Sequence, residues 1–371
     1  MPNAAITGSS SAAPAAGSSS AMTNPFWAAS NWYSEPNNDE VLNGSFQLGA
    51  AAKPFSISLN SNGYTKDMRT AVRSSGAVGG TPAPDSPENL FQNITFKTPT
   101  GSEFYQTTTG WDHNQVFNPF GHPWEGNPAY AWDYAQNINP SFTLKLTPEL
   151  RHTAGALPNM DDRRLYKFDG YVAQNSTITN GTVSTSPTCT FATTITTWAQ
   201  PDDSNLLGQG NQTIPPGIAL QTYRRKATVT LNGAGSSNTI DARSLTGNIQ
   251  RLIALVFRDS NGNRQDYFSD PIVFKVDNRT EGNYTFAELM NEYRDFYGDQ
   301  TGPRPQGVLL FPRFFQPGQM VGQGWLPTNG ATKEIWNTST SSSAVNVPGT
   351  VDILIEDCIP LTGLPSQLVN I

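Results

Sequence analysis

Charge is scarce in this chain: only 14% of its 371 residues are Asp, Glu, Lys or Arg, and the net charge is −7. Neutralising phosphates takes clustered Lys and Arg, so a nucleic-acid-binding surface is excluded and no direct nucleic-acid partner is expected. The short basic groups Arg163-Arg164 and Arg224-Arg225-Lys226 read as solvated strand ends or salt-bridge partners. Cysteine is nearly missing. Cys189 and Cys358 are too few for a disulfide framework and have no Cys or His neighbour at metal-ligand spacing, so free, mostly buried thiols are expected. His113, His122 and His152 are the only histidines and match no zinc spacing. There is no GxGxxG and no P-loop, so neither a cofactor nor a metal is expected. No run of 18 apolar residues occurs, and the N-terminus has neither a positive n-region nor an apolar h-region. Neither a membrane span nor a signal peptide is expected, and synthesis in the cytosol follows. The N-x-S/T matches at Asn93, Asn180 and Asn283 are then products of composition.

Strong helix formers are also sparse. Gly 32, Pro 28 and abundant Thr, Ser and Asn favour short strands joined by turns, which makes the class all-β. The length exceeds what one core usually serves, so two domains of roughly 150 residues are the natural division. Two stretches read as the same hairpin event. Pro87 to Phe104 runs from Leu90, Ile94 and Phe96 into a Thr-Gly turn, and Gly247 to Asp266 runs from Ile249, Leu252, Ile253, Leu255 and Phe257 into an Asn-Gly turn.

Residues 1 to 34 carry no charged side chain, and Thr7 to Ala21 is a Ser/Ala/Gly tract unable to bury enough apolar surface to fold alone. Residues 1–40 therefore read as an extended N-terminal arm. Phe26, Trp27, Trp32 and Tyr33 gather near its end, and aromatics at this density sit on a neighbouring protein, on a lipid interface, or on their own domain. These four are the candidate membrane or neighbour contact. Residues 41–200 form the first β domain, 201–221 a Pro/Gly/Asn linker, 222–360 the second β domain and 361–371 a C-terminal tail. The aromatic stretch from Gly110 to Tyr134 has no clean period and reads as a functional or interface loop. A helix stands out in the second half: Thr285 and Glu288 match a capping box, Phe286, Leu289, Met290, Tyr293, Phe296 and Tyr297 share one face as core packing, and Gly298 follows as a C-cap.

Catalytic patterns are weak. Asp112-His113 is half of an acid/base pair with no nucleophile motif beside it. Asp259 to Asn263 resembles a calcium loop, but an EF-hand needs Gly where Arg264 stands and Glu where Asp270 stands, so a turn is the better reading. Asp161 and Asp162 are adjacent and point apart on a strand. No catalytic residue is assigned, and no enzyme activity is expected.

Several segments in a shared order resemble the double jelly-roll major capsid proteins of tailless, internal-membrane double-stranded DNA phages of the tectivirus type. In the first half these are SPENLFQNITFKTPTGSEF, GWDHNQVFNPFG and SFTLKLTPELRHTAGALPNMDDRRLYKF, with the turn Gly155 to Asn159. In the second they are TGNIQRLIALVFRDSNGNRQD, DPIVFKVDN, Tyr297-Gly298, GVLLFPRF and Trp325 to Ile335. The resemblance spans about Asp85 to Pro360 and leaves the arm outside. It implies two tandem eight-stranded jelly rolls, homotrimers with six barrels around a centre, and near-hexagonal tiles in an icosahedral virion shell over an internal membrane. The implied partners are the chain itself, penton or other minor capsid proteins, and the membrane. A carbohydrate-binding β-sandwich of a phage spike, stacking sugars on aromatics between Trp111 and Tyr134, is the alternative. A jelly-roll hydrolase using Asp112 or Glu125 is a third reading.

Overall fold

A computed structural model of the chain describes residues 28–33, 42, 44–59, 64–121, 138–139, 141–150, 155–158, 165–199, 220–297, 305–313 and 324–360. The strands of the first half are β1 (Ala28–Tyr33), β2 (Gly44–Gln47), β3 (Lys53–Ser58), β4 (Tyr64–Ser75), β5 (Thr81–Pro82), β6 (Phe91–Lys97), β7 (Glu103–Thr108), β8 (Ser141–Leu146), β9 (Leu157–Pro158), β10 (Lys167–Val172), β11 (Thr179–Asn180) and β12 (Thr188–Ala199). Those of the second are β13 (Leu220–Thr230), β14 (Ser237–Asp241), β15 (Ile249–Arg258), β16 (Phe268–Val276), β17 (Arg279–Tyr284), β18 (Val308–Pro312), β19 (Leu326–Pro327), β20 (Glu334–Thr340) and β21 (Thr350–Pro360).

The pairing repeats. In the first half, β2-β12-β4-β8 form one sheet and β3-β10-β6-β7 another; in the second, β13-β21-β15-β18 and β14-β20-β16-β17 do the same. Numbering the main strands of each half from 1 to 8 in chain order, both halves read 1-8-3-6 in one sheet and 2-7-4-5 in the other. That is the jelly-roll order, made twice. β5 with β11 forms a small separate sheet, and β9 and β19 extend β4 and β15.

Alternation explains most strands. In β20, Glu334, Trp336, Thr338 and Thr340 turn inward while Ile335, Asn337 and Ser339 are half-exposed, as expected where one face meets the core. β15 differs: it is buried from Gln250 to Phe257, as a strand covered on both faces must be. The first core gathers Phe55, Phe91, Phe96, Phe168 and Phe191. The second gathers the β15, β18 and β21 aliphatics with Phe274 and Trp336, whose rings stack 4.8 Å apart, and it also takes in Trp111, Val116, Phe117 and Phe120 from the first half of the chain.

The two supposed hairpins turn out to be different events. β6 and β7 do fold back on each other, around a turn closed by Gly101 N–H to the Thr98 carbonyl at 2.9 Å, with Gly101 at φ +88°. They are strands 4 and 5, neighbours in one sheet. β15 and β16 are strands 3 and 4, which the order places in opposite sheets, so the Asp259–Asn263 turn is a corner with a lone bridge between Arg258 and Arg264. Its organiser is Asp259. One carboxylate oxygen accepts the Asn261 and Asn263 backbone N–H groups at 2.9 and 2.8 Å, and the other accepts side-chain amides of Asn263, Gln265 and Asn346. A carboxylate ringed by N–H donors is a turn clamp rather than a cation ligand.

The capping box is present as read: Thr285 N–H donates to Glu288 at 2.7 Å, and Glu288 N–H donates to Thr285 Oγ1 at 3.2 Å. The helix Phe286–Tyr297 buries Leu289 and Tyr293 and half-buries Phe286, Met290 and Tyr297; Gly298 lies outside the described residues. Cys189 and Cys358 are buried free thiols. Of the segment read as a linker, 201–219 lie outside the described residues and β13 starts at Leu220.

Because the second core includes side chains from the first half, we expect the chain to unfold in one cooperative transition. Phe91→Ala, which removes a fully buried ring in edge contact with Phe142 and Phe191, should cost about 3–5 kcal/mol and shift that whole transition in calorimetry. Two separate endotherms, with only one displaced, would contradict a shared core.

Candidate functional site at the seam between the barrels

The first barrel's 2-7-4-5 sheet and the second barrel's 1-8-3-6 sheet are one continuous sheet, joined where β7 meets β13 in parallel at the pair Tyr105 and Arg224. A single bridged pair would be a weak joint. What holds it is a helical segment that follows β7 and a set of buried ion pairs.

The segment begins with a π-helical stretch, Asp112–Phe117, and closes with an α-helical turn, Asn118–Gly121. Its entry is set by Asp112, whose carboxylate accepts Thr109 N–H at 2.8 Å. Asn114 and Asn118 fasten it to β8: Asn114 Nδ2 donates to the Thr143 carbonyl at 2.8 Å, and Asn118 Nδ2 to that of Lys145 at 2.7 Å. The apolar side chains then point into the second core. Gly121 sits at the far end, where an added Cβ would lie 3.0 Å from the Glu356 carboxylate.

Arg224 is the centre. It is fully buried, donates from Nε to Glu356 at 2.9 Å, and reaches His113 Nδ1 at 2.8 Å, Asn118 Oδ1 at 3.2 Å and the Thr147 carbonyl at 3.3 Å. Its guanidinium lies 5.0 Å from the centre of the Tyr105 ring and 5.1 Å from that of Phe117. An arginine has no acceptor, so His113 Nδ1 must accept and its Nε2–H donates to Thr108 Oγ1 at 2.8 Å. Burial, with Arg224 beside it, holds the imidazole well below its ordinary pKa, so the ring is neutral. The second oxygen of Glu356 takes Arg251, which also donates to the Gly121 carbonyl at the end of the helical segment.

Outward from this centre the pattern continues. Lys226 lies 3.3 Å from Asp112 and 3.2 Å from Asp352; burial would lower its pKa, but the two carboxylates keep it raised. Arg258 pairs with Asp352 at 2.9 Å and Asp85 at 2.6 Å, and Arg264 reaches Asp85 at 2.7 Å, with the Trp111 ring against both guanidiniums. Across the seam the first half supplies acceptors (Asp85, Asp112, His113, Asn118, the Gly121 carbonyl) and the second supplies donors, most of them cations, with the hydroxyls of Thr222 and Tyr297 donating to the Pro148 and Phe120 carbonyls. Two nearby carboxyls are driven toward neutrality. Burial pushes Glu88 up to about 7 against the amide donors of Asn114 and Gln115, and Asp357 up to about 6 despite Arg225 and Asn248.

Arg224, Arg225 and Lys226 are therefore the salt-bridge partners that one reading allowed, but Arg224 is buried rather than solvated. Asp112 and His113 are both fully buried in separate contacts, Asp112 with Lys226 and His113 with Arg224. Trp111 is 1% exposed and so closed to a stacking sugar. Trp32 and Tyr33 lie on β1, where Tyr33 is opposite Ile195 of β12. Phe26, Trp27, His122, Trp124, Glu125, His152, Asp161, Asp162, Arg163 and Arg164 lie outside the described residues.

The duplicated strand order defines a double jelly roll, and the solved structures that share it are viral capsid proteins. The MCP of STIV (Sulfolobus Turreted Icosahedral Virus) superposes with a TM-score of 0.60 at 16% identity, over 92% of this chain and 99% of that one. The Faustovirus major capsid protein gives 0.54 at 10% identity, over 91% of each chain. The major capsid protein P2 from Bacteriophage PM2 gives 0.51 at 10% identity, over 86% of this chain and 96% of that one. No protein-family model matches the chain, and no curated protein does.

Arg224→Met should cost about 3–5 kcal/mol in urea denaturation, because it strands buried partners, whereas Arg243→Met, which removes an exposed pair with Asp241, should leave the denaturation midpoint where it was. Glu88 gives a pH signature. Its folded pKa lies above the unfolded value, so between about pH 4.5 and 7 the native state keeps a proton that the unfolded chain has lost, and stability from this group falls as pH rises through that window. Glu88→Gln removes the slope. The stability of the wild type relative to Glu88→Gln should decline by about 3 kcal/mol from pH 4 to pH 8, and parallel curves would contradict the burial assigned to Glu88.

Proposed function

We propose that this chain is a viral major capsid protein, with residues 41–200 and 222–360 as its two jelly rolls and residues 1–40 as an arm. The observation that carries the reading is the seam: two barrels of identical strand order, fastened into one body by a continuous sheet and a buried ion network. Such a body is built to be placed beside copies of itself. Its likeness to the capsid proteins covers nearly the whole of each and not one barrel alone, which supports the same use of the fold.

In this reading three chains put six barrels around a centre and give a nearly hexagonal tile, and tiles packed edge to edge cover an icosahedral shell. The chain resides in the virion after synthesis in the host cytoplasm. Its partners are its own copies, penton and other minor capsid proteins, and an internal membrane of the tectivirus-like kind. Phe26, Trp27, Trp32 and Tyr33 contact that membrane or a neighbouring copy. The role is structural and non-enzymatic. The buried Asp112, His113 and Trp111 take from the enzymatic and carbohydrate readings the residues of theirs that are described.

Purified protein should run at three times the 40.2 kDa chain mass in light scattering and show a three-fold, six-lobed outline in negative-stain electron microscopy. A monomer, or a slender rod, would sink the capsomer reading.

A further inference from the structure

The seam joins strand 5 of the first barrel, β7, to strand 1 of the second, β13. Each chain also carries the same two edges unjoined. Strand 5 of the second barrel is β17, the last strand of its sheet, which pairs with β16 alone among the described residues and is exposed at Arg279, Thr280, Glu281 and Asn283. Strand 1 of the first barrel is made in two pieces. β13 pairs along β21 without a break from Thr350 to Pro360, whereas β12 is paired by β2 at Thr188 to Phe191 and by β1 at Ile195 to Ala199. β1 and β2 together thus take the place that β13 takes, and among the described residues no strand pairs with their outer side.

The registers correspond to within one residue: Arg224, the seam residue of β13, is opposite Glu356, six residues after β21 starts at Thr350, and Tyr33 is opposite Ile195, seven residues after β12 starts at Thr188. On strand 3, Leu252 next to Arg251 faces Glu356, and Arg69 of β4 faces Thr194 in the matching place. Arg251 holds the end of the segment that follows β7. The element that follows β17 is the helix Phe286–Tyr297, whose exposed side carries Glu288, Glu292 and Asp295 against one cation, Arg294. The acidic helix of one copy and Arg69 of the next, which also pairs with Asp67 of its own strand at 2.9 Å, have the same order of charge as the seam.

We propose that the edge formed by β1 and β2 receives β17 of a second copy of this chain, strand beside strand in parallel, repeating between copies the contact that β7 makes with β13 within one. This rests on the trimeric reading above. A strand edge offers unpaired N–H and C=O groups along its length, which is the recognition surface for strand addition. A head-to-tail contact closes a ring only when its rotation fits, and two seams of one geometry supply equal steps around the ring. The contact also assigns a place to Trp32 and Tyr33: the outer edge beside the next copy.

A photo-crosslinking amino acid placed at Asn283, exposed on β17, tests the contact in the full chain, with Val345, 57% exposed in the loop between β20 and β21, as the control position. The expected result is covalent dimers and trimers from position 283, with the joined peptides mapping by mass spectrometry to residues 28–47, and neither from position 345. Trimers whose position-283 products map elsewhere, or that give none, overturn this contact and leave the trimer standing. A protein that stays monomeric before irradiation overturns the trimeric reading and this contact with it.

Discussion

One buried arginine sets the terms for the rest of the molecule. Arg224 is removed from water between the Tyr105 and Phe117 rings, so its guanidinium must be matched on several sides at once, and the partners come from both halves of the chain. Glu356 answers it from β21, and the same carboxylate answers Arg251, which in turn holds the last carbonyl of the helical segment from the first barrel. Shifting either barrel by one residue along β7 and β13 would separate all of these groups together. The network therefore acts less as a source of stability than as a lock on register, since buried ion pairs roughly break even against apolar packing but are expensive to break.

A low overall charge makes this arrangement more telling. In a chain of 23 basic and 30 acidic residues, Arg224, Arg225, Lys226, Arg251, Arg258 and Arg264 converge on one surface, together with Asp85, Asp112, Asp352, Glu356 and Asp357. Titration pulls the site in two directions. Glu88 and Asp357 favour the acid side of neutrality because burial has raised them, whereas His113 favours the alkaline side because burial has lowered it. The slopes of the two carboxyls and of the imidazole are opposed in sign.

Much of the architecture could be read from residue patterns, and the failures have physical causes. Alternating strands such as β20, the Thr285 capping box and the Thr-Gly turn before β7 are local features, visible within a few residues. The corner at Asp259 has the same Asn-Gly signature as a hairpin, because turn chemistry specifies the bend and not which sheet the next strand joins. The segment after Trp111 opens with a π-helical stretch, whose i→i+5 hydrogen bonds give a wider turn than the 3.6-residue period by which a helix is read from sequence. Arg224-Arg225-Lys226 read equally as solvated strand ends or salt-bridge partners because their partners are more than a hundred positions away, at Glu356, Asp357 and Asp112. A buried network closed over such distances leaves no local trace.

The contrast between the joined and the open edges follows from the same physics. An apolar seam between two barrels would accept many registers and many partners, since burial rewards area without direction. A seam of ion pairs and oriented hydrogen bonds accepts few, because a misplaced charge is left buried and unmatched. Within one chain that selectivity is affordable, as chain continuity keeps both sides at high local concentration. The open edges are milder in character. β17 and β2 are short, mostly exposed and polar, and Arg69 stands half-exposed where Arg251 is buried. The interior joint is thus exclusive by its buried charge, whereas the open edges carry short, exposed and polar strands.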